Sequence, residues 1–489
     1  MSSNALSRFF TFPAMLITAL CVSPFVASLD VQQGGPILRD PDIWWHLRNA
    51  ESLVSTHNLP TRDLFAFTTQ GQPWVNPEWL AEIPYYLGYR FFGDRGIFLV
   101  MLITVEFIVF GIFLLCYRRC GDTKAAFLAS WIAVLFASIN IGPRTILFGW
   151  LCFLVEILLI ESFRKGHDRL WLLVPLFALW INLHGSWLIG LAFFFIFIAS
   201  GFAQGSWGSM EAVRWTPQQR NKLLTIASLS VAALFVNPYG WRLVANPFDM
   251  IFAQQLNIHF VDEWHSVDFQ TFHGKLVFVV FAALFIFTLA RRRPWPLHEL
   301  LFALASTYAA LTHKRFLFLA GIIICPILAV ELVGAVFEPY DSKTNKPLLN
   351  ALFMAGYCAF AIFHIPSNAK LRDAESQYFP VAAIPQLQSS CASSHVFNAY
   401  EWGGHLIWNQ RNIPVFIDSR ADVFEHHGIL ADYLKATSLD SPLPVLDRYQ
   451  IGCVLLQPNS QLVTLLENSP NWHMQYQDAT AALLVRTNR

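Results

Sequence analysis

Residues 37–53 read "ILRDPDIWWHLRNAESL" and follow an apolar run at the start of the chain. Asp40, Pro41 and Asp42 stand just past that run, with Trp44, Trp45 and His46 close behind. The stretch is either an ordinary solvated loop or an acidic rim at a membrane surface. Which of these holds depends on where the rest of the chain runs.

Hydrophobic residues make up 55% of the sequence and charged residues only 13%, with 44 Phe and 17 Trp. Soluble domains carry about 25% charged residues, so this is the composition of a membrane protein. The net charge is zero, which argues against a nucleic-acid partner, since that needs a basic surface. Cys21, Cys116, Cys120, Cys152, Cys325 and Cys358 lie in or beside apolar runs, as small core residues do. Cys391 and Cys453 fall in the polar tail, and their pairing is left open. No CxxC or Cys/His metal spacing occurs.

A membrane span needs about 20 apolar residues. Eleven stretches qualify as candidates: 9–29, 96–117, 125–142, 146–163, 170–183, 186–204, 223–237, 275–290, 297–312, 316–337 and 349–365. The run 170–204 is too long for one span, and Asn182-Leu183-His184-Gly185 is its natural break. Basic residues cluster in alternate loops: Arg118, Arg119 and Lys124; Arg164, Lys165 and Arg169; Arg214, Arg220 and Lys222; Arg291, Arg292 and Arg293. With Arg8, Lys343 and Lys346 these mark the cytoplasmic side. The first loop (30–95), residues 238–274 and the tail from 366 then share the opposite side. A cleaved signal peptide is the alternative for the first span, because Arg8 precedes an apolar stretch ending in "FVASLD".

The expected architecture is a polytopic α-helical membrane domain over 1–365 and a soluble α/β domain over 366–489. In the tail, "VFNAY", "PVFID" and "IGCVLL" read as strands, and "LADYLKA" as a helix. The ending "WHMQYQDATAALLVR" reads as two strands around a turn. No GxGxxG or GxxxxGK motif supports a nucleotide fold there.

Asp40 and Asp42 present two carboxylates about a fixed proline, a pattern that binds a hard divalent cation or supplies a general base. The plainer reading makes Asp42 the N-cap of an amphipathic helix lying at the interface, with the tryptophans on lipid. Farther along, "GQPWVNPEWLAEIPYY" sets Asn76, Glu78 and Glu82 among Trp74, Trp79, Tyr85 and Tyr86, which serve as interfacial anchors or as sugar contacts. Charges at the outer ends of spans carry weight, because burying them is costly. Arg144, His184 and the set His313, Lys314 and Arg315 are such charges, and arginine there clamps a phosphate bidentately. Snorkelling to the headgroups is the alternative, favoured for Lys314. "NIHFVDEWHSVDF" adds Asp262, Glu263, Trp264 and His265 as a second acidic wall or a solvated helix end.

In this order, the motifs "DPDIWWHLRNAESLVSTHNLP", "NLHGSWLIG", "NPYGWRL", "DEWHSVDF", "THKRFLF" and "VFNAYEWGGHLIW...PVFIDSRADVF" resemble uncharacterised bacterial members of the GT-C superfamily of membrane glycosyltransferases. The likeness spans nearly the whole chain. It implies a multi-pass protein of a bacterial inner membrane and an outward active site with a first-loop acid. It also implies a sugar donor on a polyprenyl phosphate, and a glycan, lipid or protein acceptor. Carried over by position, Asp42 (with Asp40 as the alternative) is the catalytic acid. From the residues themselves, His46, Glu78, Arg144, His184, Glu263, His265 and Arg315 are the expected substrate contacts. In oligosaccharyltransferases a comparable DxD helps bind a divalent metal, so Asp40 and Asp42 become candidate ligands for Mg or Mn; protein mannosyltransferase-like relatives use none. "YEWGG" (400–404) is similar to the oligosaccharyltransferase WWDYG motif but departs at most positions. The competing readings are a non-catalytic envelope scaffold with the same fold, and a transporter. The transporter fits less well, because Glu106 and Glu156 are isolated in their spans.

Overall fold

The computed structural model describes residues 9–28, 39–291, 293–338 and 340–487. Arg8, Arg292 and the opening of the first loop (29–38), on which parts of the sequence reading rest, lie outside the described residues. Each of the eleven apolar stretches forms a helix: α1 is Phe12–Ser28, and after the first-loop helices α2 (Asp42–Thr56) and α3 (Trp79–Phe92) come α4 (Asp94–Cys120), α5 (Thr123–Ala137), α6 (Ile146–Arg164), α7 (Leu173–Leu183), α8 (Trp187–Ser200) and α9 (Pro217–Ala233). Trp241–Ala253 (α10) lies outside the expected spans, and α11 (Phe272–Arg291), α12 (Leu297–Thr312), α13 (Leu317–Leu332) and α14 (Pro347–His364) complete the bundle. Five helical segments, within 94–120, 146–164, 272–291, 314–332 and 347–364, are long and apolar enough to cross a membrane; α1, α5, α7 with the turn before it, and α8 are apolar but shorter. A span count of eleven is therefore not established. α9 opens on polar turns under a Thr216–Gln219 capping box, which shortens its apolar length.

α13 is buried along nearly its whole length and packs between α5, α4 and α12 as the centre of the bundle. α11 and α14 expose most of their apolar surface, as helices facing lipid do. At the α3–α4 corner, Gly96 is required by close approach, because a Cβ there would sit 1.8 Å from the Gly88 carbonyl oxygen. The break between α7 and α8 falls where the sequence places it. His184 takes an extended backbone, and its ring Nδ1 accepts the Ser186 N–H at 3.0 Å.

The two ends of the bundle differ in chemistry. At one, Glu299 at the start of α12 accepts from Arg119 (2.5 Å) and Arg164 (3.1 Å). At the other stand Arg144, His184 and Arg315. The 19 residues of α6 separate these ends by about 28 Å. A small sheet that the sequence reading missed joins Gly205–Trp207 (β1), Met210–Ala212 (β2) and Trp295–Pro296 (β3) at the Glu299 end.

The tail forms a second sheet from His395–Asn398 (β4), Ile451–Leu456 (β5), Trp472–Gln477 (β6) and Ala482–Arg486 (β7), in the order β4-β5-β7-β6. β4 and β5 are parallel; β7 is antiparallel to both β5 and β6. The ending is thus the expected pair of strands around a turn. Cys391 and Cys453 are disulfide-bonded, tying the approach to β4 onto β5. "PVFID" is not a strand of this sheet. Its backbone is claimed by the first loop, where Phe67 N–H donates to Val415 O (3.1 Å) and Val415 N–H to Phe65 O (3.2 Å).

That docking also overturns the interfacial placement of α2. Trp44 and Trp45 are buried under the tail rather than resting on lipid. Trp44 lies edge-on to Phe379 and His405. Gly404 comes so near Pro41 that a Cβ would meet its carbonyl oxygen at 2.4 Å. The first loop is sandwiched between bundle and tail.

Candidate active site

α2 begins at Asp42 behind Pro41, so Asp42 is the first helical residue rather than the expected N-cap, and Asp40 holds its N–H. The Asp42 N–H donates to Asp40 Oδ1 at 2.9 Å. The other Asp40 oxygen accepts from Arg144, which also ion-pairs with Glu263. One guanidinium, from the segment before α6, thus joins the first loop to the 262–264 turn. Tyr85 on α3 holds that segment in place, its hydroxyl donating to the Arg144 carbonyl (3.1 Å).

Asp42 is differently placed. Its Oδ1 accepts from Trp45 Nε1 at 3.2 Å, which lies at the same distance from Ser419 Oγ of the tail. Among the described residues Asp42 has no ion-pair partner. Burial, then the neighbouring Asp40 charge, raises its carboxyl above the usual range, with His46, Ser419 and Arg144 opposing.

One turn along α2, on the same face, His46 meets two glutamates. Nδ1 lies 2.8 Å from Glu82 Oε1, and Nε2 lies 3.4 Å from Glu78 Oε2. Glu78 Oε1 in turn lies 3.3 Å from His184 Nε2. Burial raises the Glu78 carboxyl to about 7. Burial, aided by the Arg315 and His46 charges, lowers His184 to about 3, which keeps the ring neutral.

Arg315 sits over the Trp264 ring, 4.2 Å from its centroid, near enough that the charges of Glu78 and Asp42 act on it. Among the described residues no carboxylate ion-pairs with it. Lys314 pairs with the largely exposed Asp262 at 2.7 Å.

Asp40, Asp42, His46, Glu78, Arg144, His184, Glu263 and Arg315 are therefore linked in one centre by contacts or by mutual charge. His265 is not part of it. Its ring is exposed, lies 3.5 Å from Asp262 and contacts the His259 carbonyl. The sequence reading passed over Glu82, Asn49 and Ser419 as site members. Only Glu82 carried a signal, four residues after Glu78 and so on the same side of a helix. An open cleft of about 830 Å3 lies on another side of α2, lined by Arg48, Glu51, Arg90 and Arg411 among others, apart from this centre.

A divalent cation at Asp40 and Asp42 does not fit this arrangement. Both Asp40 oxygens are committed, one to a guanidinium and one to a backbone N–H. Among the described residues no group of three or more His, Cys, Asp or Glu side chains is arranged to hold a metal.

No protein-family model matches the sequence, and no curated protein matches it. Solved structures do. The Archaeoglobus fulgidus oligosaccharyltransferase in its apo form aligns over 90% of this chain and 69% of its own, with TM-score 0.54 and 13% identity. ArnT from Cupriavidus metallidurans in the apo state aligns over 96% of this chain and 97% of its own, with TM-score 0.53 and 14% identity. The fold is thus shared with these two solved structures, in keeping with the resemblance that the sequence motifs carry. The archaeal enzyme, AglB, has also been solved with an inhibitory peptide and a dolichol-phosphate, and with Zn and sulfate. ArnT has been solved bound to undecaprenyl phosphate.

Proposed function

We propose that the protein transfers a sugar from a polyprenyl-phosphate-linked donor to an acceptor outside the cytoplasm, with Asp42 as the base. One observation carries this reading. Arg144 occupies Asp40 and Glu263, and imidazoles occupy Glu78 and Glu82, which leaves Asp42 as the unpaired carboxylate and Arg315 as the unpaired guanidinium of one centre. A phosphate-leaving reaction needs this combination: a cation for the departing oxygens and a carboxylate for the incoming hydroxyl or amine. The lipid-bound ArnT and AglB structures support the donor class. Their acceptors are not carried over.

The donor's isoprenoid tail would lie along the apolar helices, with its phosphate at Arg315 and its sugar hydroxyls facing Glu78, His46 and His184. Direct attack from the Asp42 side inverts the anomeric centre. The test is to incubate purified protein with radiolabelled polyprenyl-phosphate sugars and follow label into candidate acceptors. Retention of all label on the donors, by a folded protein, removes the reading. Replacing the clamp in Arg315→Gln loses a charge-assisted hydrogen bond and is expected to weaken donor binding about 10- to 100-fold, read as a rise in donor KM.

The same proposal places the first loop and the tail (366–489) together outside the cytoplasm, with the end of the bundle that carries Arg119, Arg164 and Glu299 inside. The Cys391–Cys453 disulfide supports this, since such bonds persist in oxidising compartments. In intact cells, cysteines placed at the exposed Asn58 and Asp440 are expected to react with an impermeant thiol reagent, and one at Lys222 to be protected. Labelling of Asn58→Cys and Lys222→Cys alike would overturn the sidedness.

A further inference from the structure

Glu82 is fully buried and is met by N–H groups from three sides. Asn49 Nδ2 donates at 2.6 Å, Asn76 Nδ2 at 2.7 Å, and His46 Nδ1 stands at 2.8 Å. With two amide donors converging on it, the carboxylate is left as acceptor, and His46 must present its Nδ1 proton to it. Nε2 of that ring faces Glu78. On the far side, His184 Nδ1 is spent on the Ser186 N–H, so a neutral ring carries its proton on Nε2 and donates to Glu78 Oε1. One labile proton position remains, between His46 Nε2 and Glu78 Oε2.

We propose that Glu82 is a positioning residue that, through His46, makes Glu78 a second proton-handling group of the centre, which takes over the acceptor's proton from Asp42. The proposal rests on the transferase reading above. In one turnover the acceptor heteroatom bonds C1 of the sugar. The C1–O bond to phosphate breaks, with its electron pair kept by the phosphate oxygen. The acceptor proton passes to Asp42, which must shed it before the next acceptor arrives. His46, one turn away on the same helix face, gives its Nε2 proton to Glu78 and is recharged from Asp42. Glu78, whose side chain is one-fifth exposed, then gives that proton from Oε2 to solvent water, because Oε1 accepts the His184 Nε2–H.

The groups facing this pair come from every neighbouring element. They are Asp42 and Asn49 on α2, Asn76 and Glu82 at α3, and Arg144 with Thr145 before α6; Tyr239, ahead of α10, faces Asn76 and Glu82, His184 lies at the α7–α8 turn and Arg315 before α13. The Trp45 ring covers His46 at 3.7 Å between centroids. Burial lowers the basicity of His46, but the Glu82 hydrogen bond and charge, with Glu78 and Asp42, outweigh it and raise the ring above its ordinary value. With its carboxyl at about 7, Glu78 holds and releases a proton near neutral pH.

Glu82→Gln tests this with little disturbance. Asn49 Oδ1 is buried without a hydrogen-bond partner, so a rotated Asn49 amide accepts from the new side-chain amide, while the remaining carbonyl keeps His46 Nδ1–H. Geometry is preserved and the charge is lost. In histidine-15N NMR of the full-length protein, the His46 signal, assigned by its loss in His46→Gln, is expected to titrate at least about one pH unit lower in the variant. An unchanged midpoint overturns the proposal whether or not any sugar is transferred.

With an active donor, kcat is expected to fall about 10- to 100-fold and donor KM to stay within about 2-fold. Loss of the imidazolium raises Glu78, so the acid limb of the pH–rate profile moves to higher pH. A wild-type profile, or a loss confined to KM, also overturns it. Should Glu82→Gln fail to fold, His46→Asn keeps a donor on Glu82 and removes Nε2; full kcat in that variant has the same consequence. Absence of transfer by the wild-type protein removes the transferase reading alone, since the titration is judged separately.

Discussion

Asp42→Asn is expected to lower kcat for the proposed sugar transfer about 100- to 10,000-fold, the range a positioned general base contributes. Asparagine has nearly the volume of aspartate, and its Oδ1 still accepts from Trp45 Nε1, as Asp42 does at 3.2 Å. The Asp40–Arg144–Glu263 bridge does not involve this side chain, so the centre keeps its shape. Burial and the Asp40 charge disfavour the ionised form of Asp42, so the substitution stabilises the fold slightly or leaves it unchanged. The measurement is kcat with labelled donor alongside thermal unfolding. Loss of turnover at an unchanged midpoint is the expected result; a loss under about 10-fold would remove Asp42 from the chemistry.

The largest stability effect is expected at Arg420, in the tail. Its guanidinium pairs with Asp63 of the first loop (2.8 Å) and with Asp418 (2.6 Å), and all three side chains are almost wholly buried. The rings of Trp74 and Phe65 flank it, with centroids at 4.8 and 5.1 Å. Burial opposes its charge, but the two carboxylates more than compensate and hold it protonated. Arg420→Met leaves Asp63 and Asp418 facing each other without a counter-ion, which costs about 3–5 kcal/mol. Release of the tail should appear as lower thermal stability and faster proteolysis between bundle and tail. Arg411 makes a comparison on the same interface. Its pair with Glu51 is about half exposed (47% and 24%), so Arg411→Ala should cost under about 1 kcal/mol. Equal losses in the two variants would mean that Arg420 does not fasten the tail.

The helices were legible because each is an apolar run bounded by charges or prolines, and the α7–α8 break because four consecutive residues interrupt such a run. The acidic pair Asp40 and Asp42 stood out for the same reason, as charge placed against grease. Which of its two carboxylates stays unpaired was not. That depends on Arg144, 104 residues away, reaching Asp40, and local spacing carries no trace of it. Trp44 and Trp45 misled in an instructive way, because a tryptophan at headgroup depth and one beneath another domain have the same neighbours in sequence. "PVFID" has the composition of a strand and spends its hydrogen bonds on the loop instead. Ser419 and Arg420, at its end, become site and fastening only through that docking.

Trp45 and its tail neighbour Ser419 are 374 residues apart. At roughly 5–20 residues per second, a ribosome needs on the order of 20–75 s to travel from one to the other. For that interval the newborn first loop has no roof, and its indoles must be sheltered by lipid headgroups or a chaperone. Chains stopped before about residue 420 would leave the candidate centre without its tail-side wall, however well their helices had inserted.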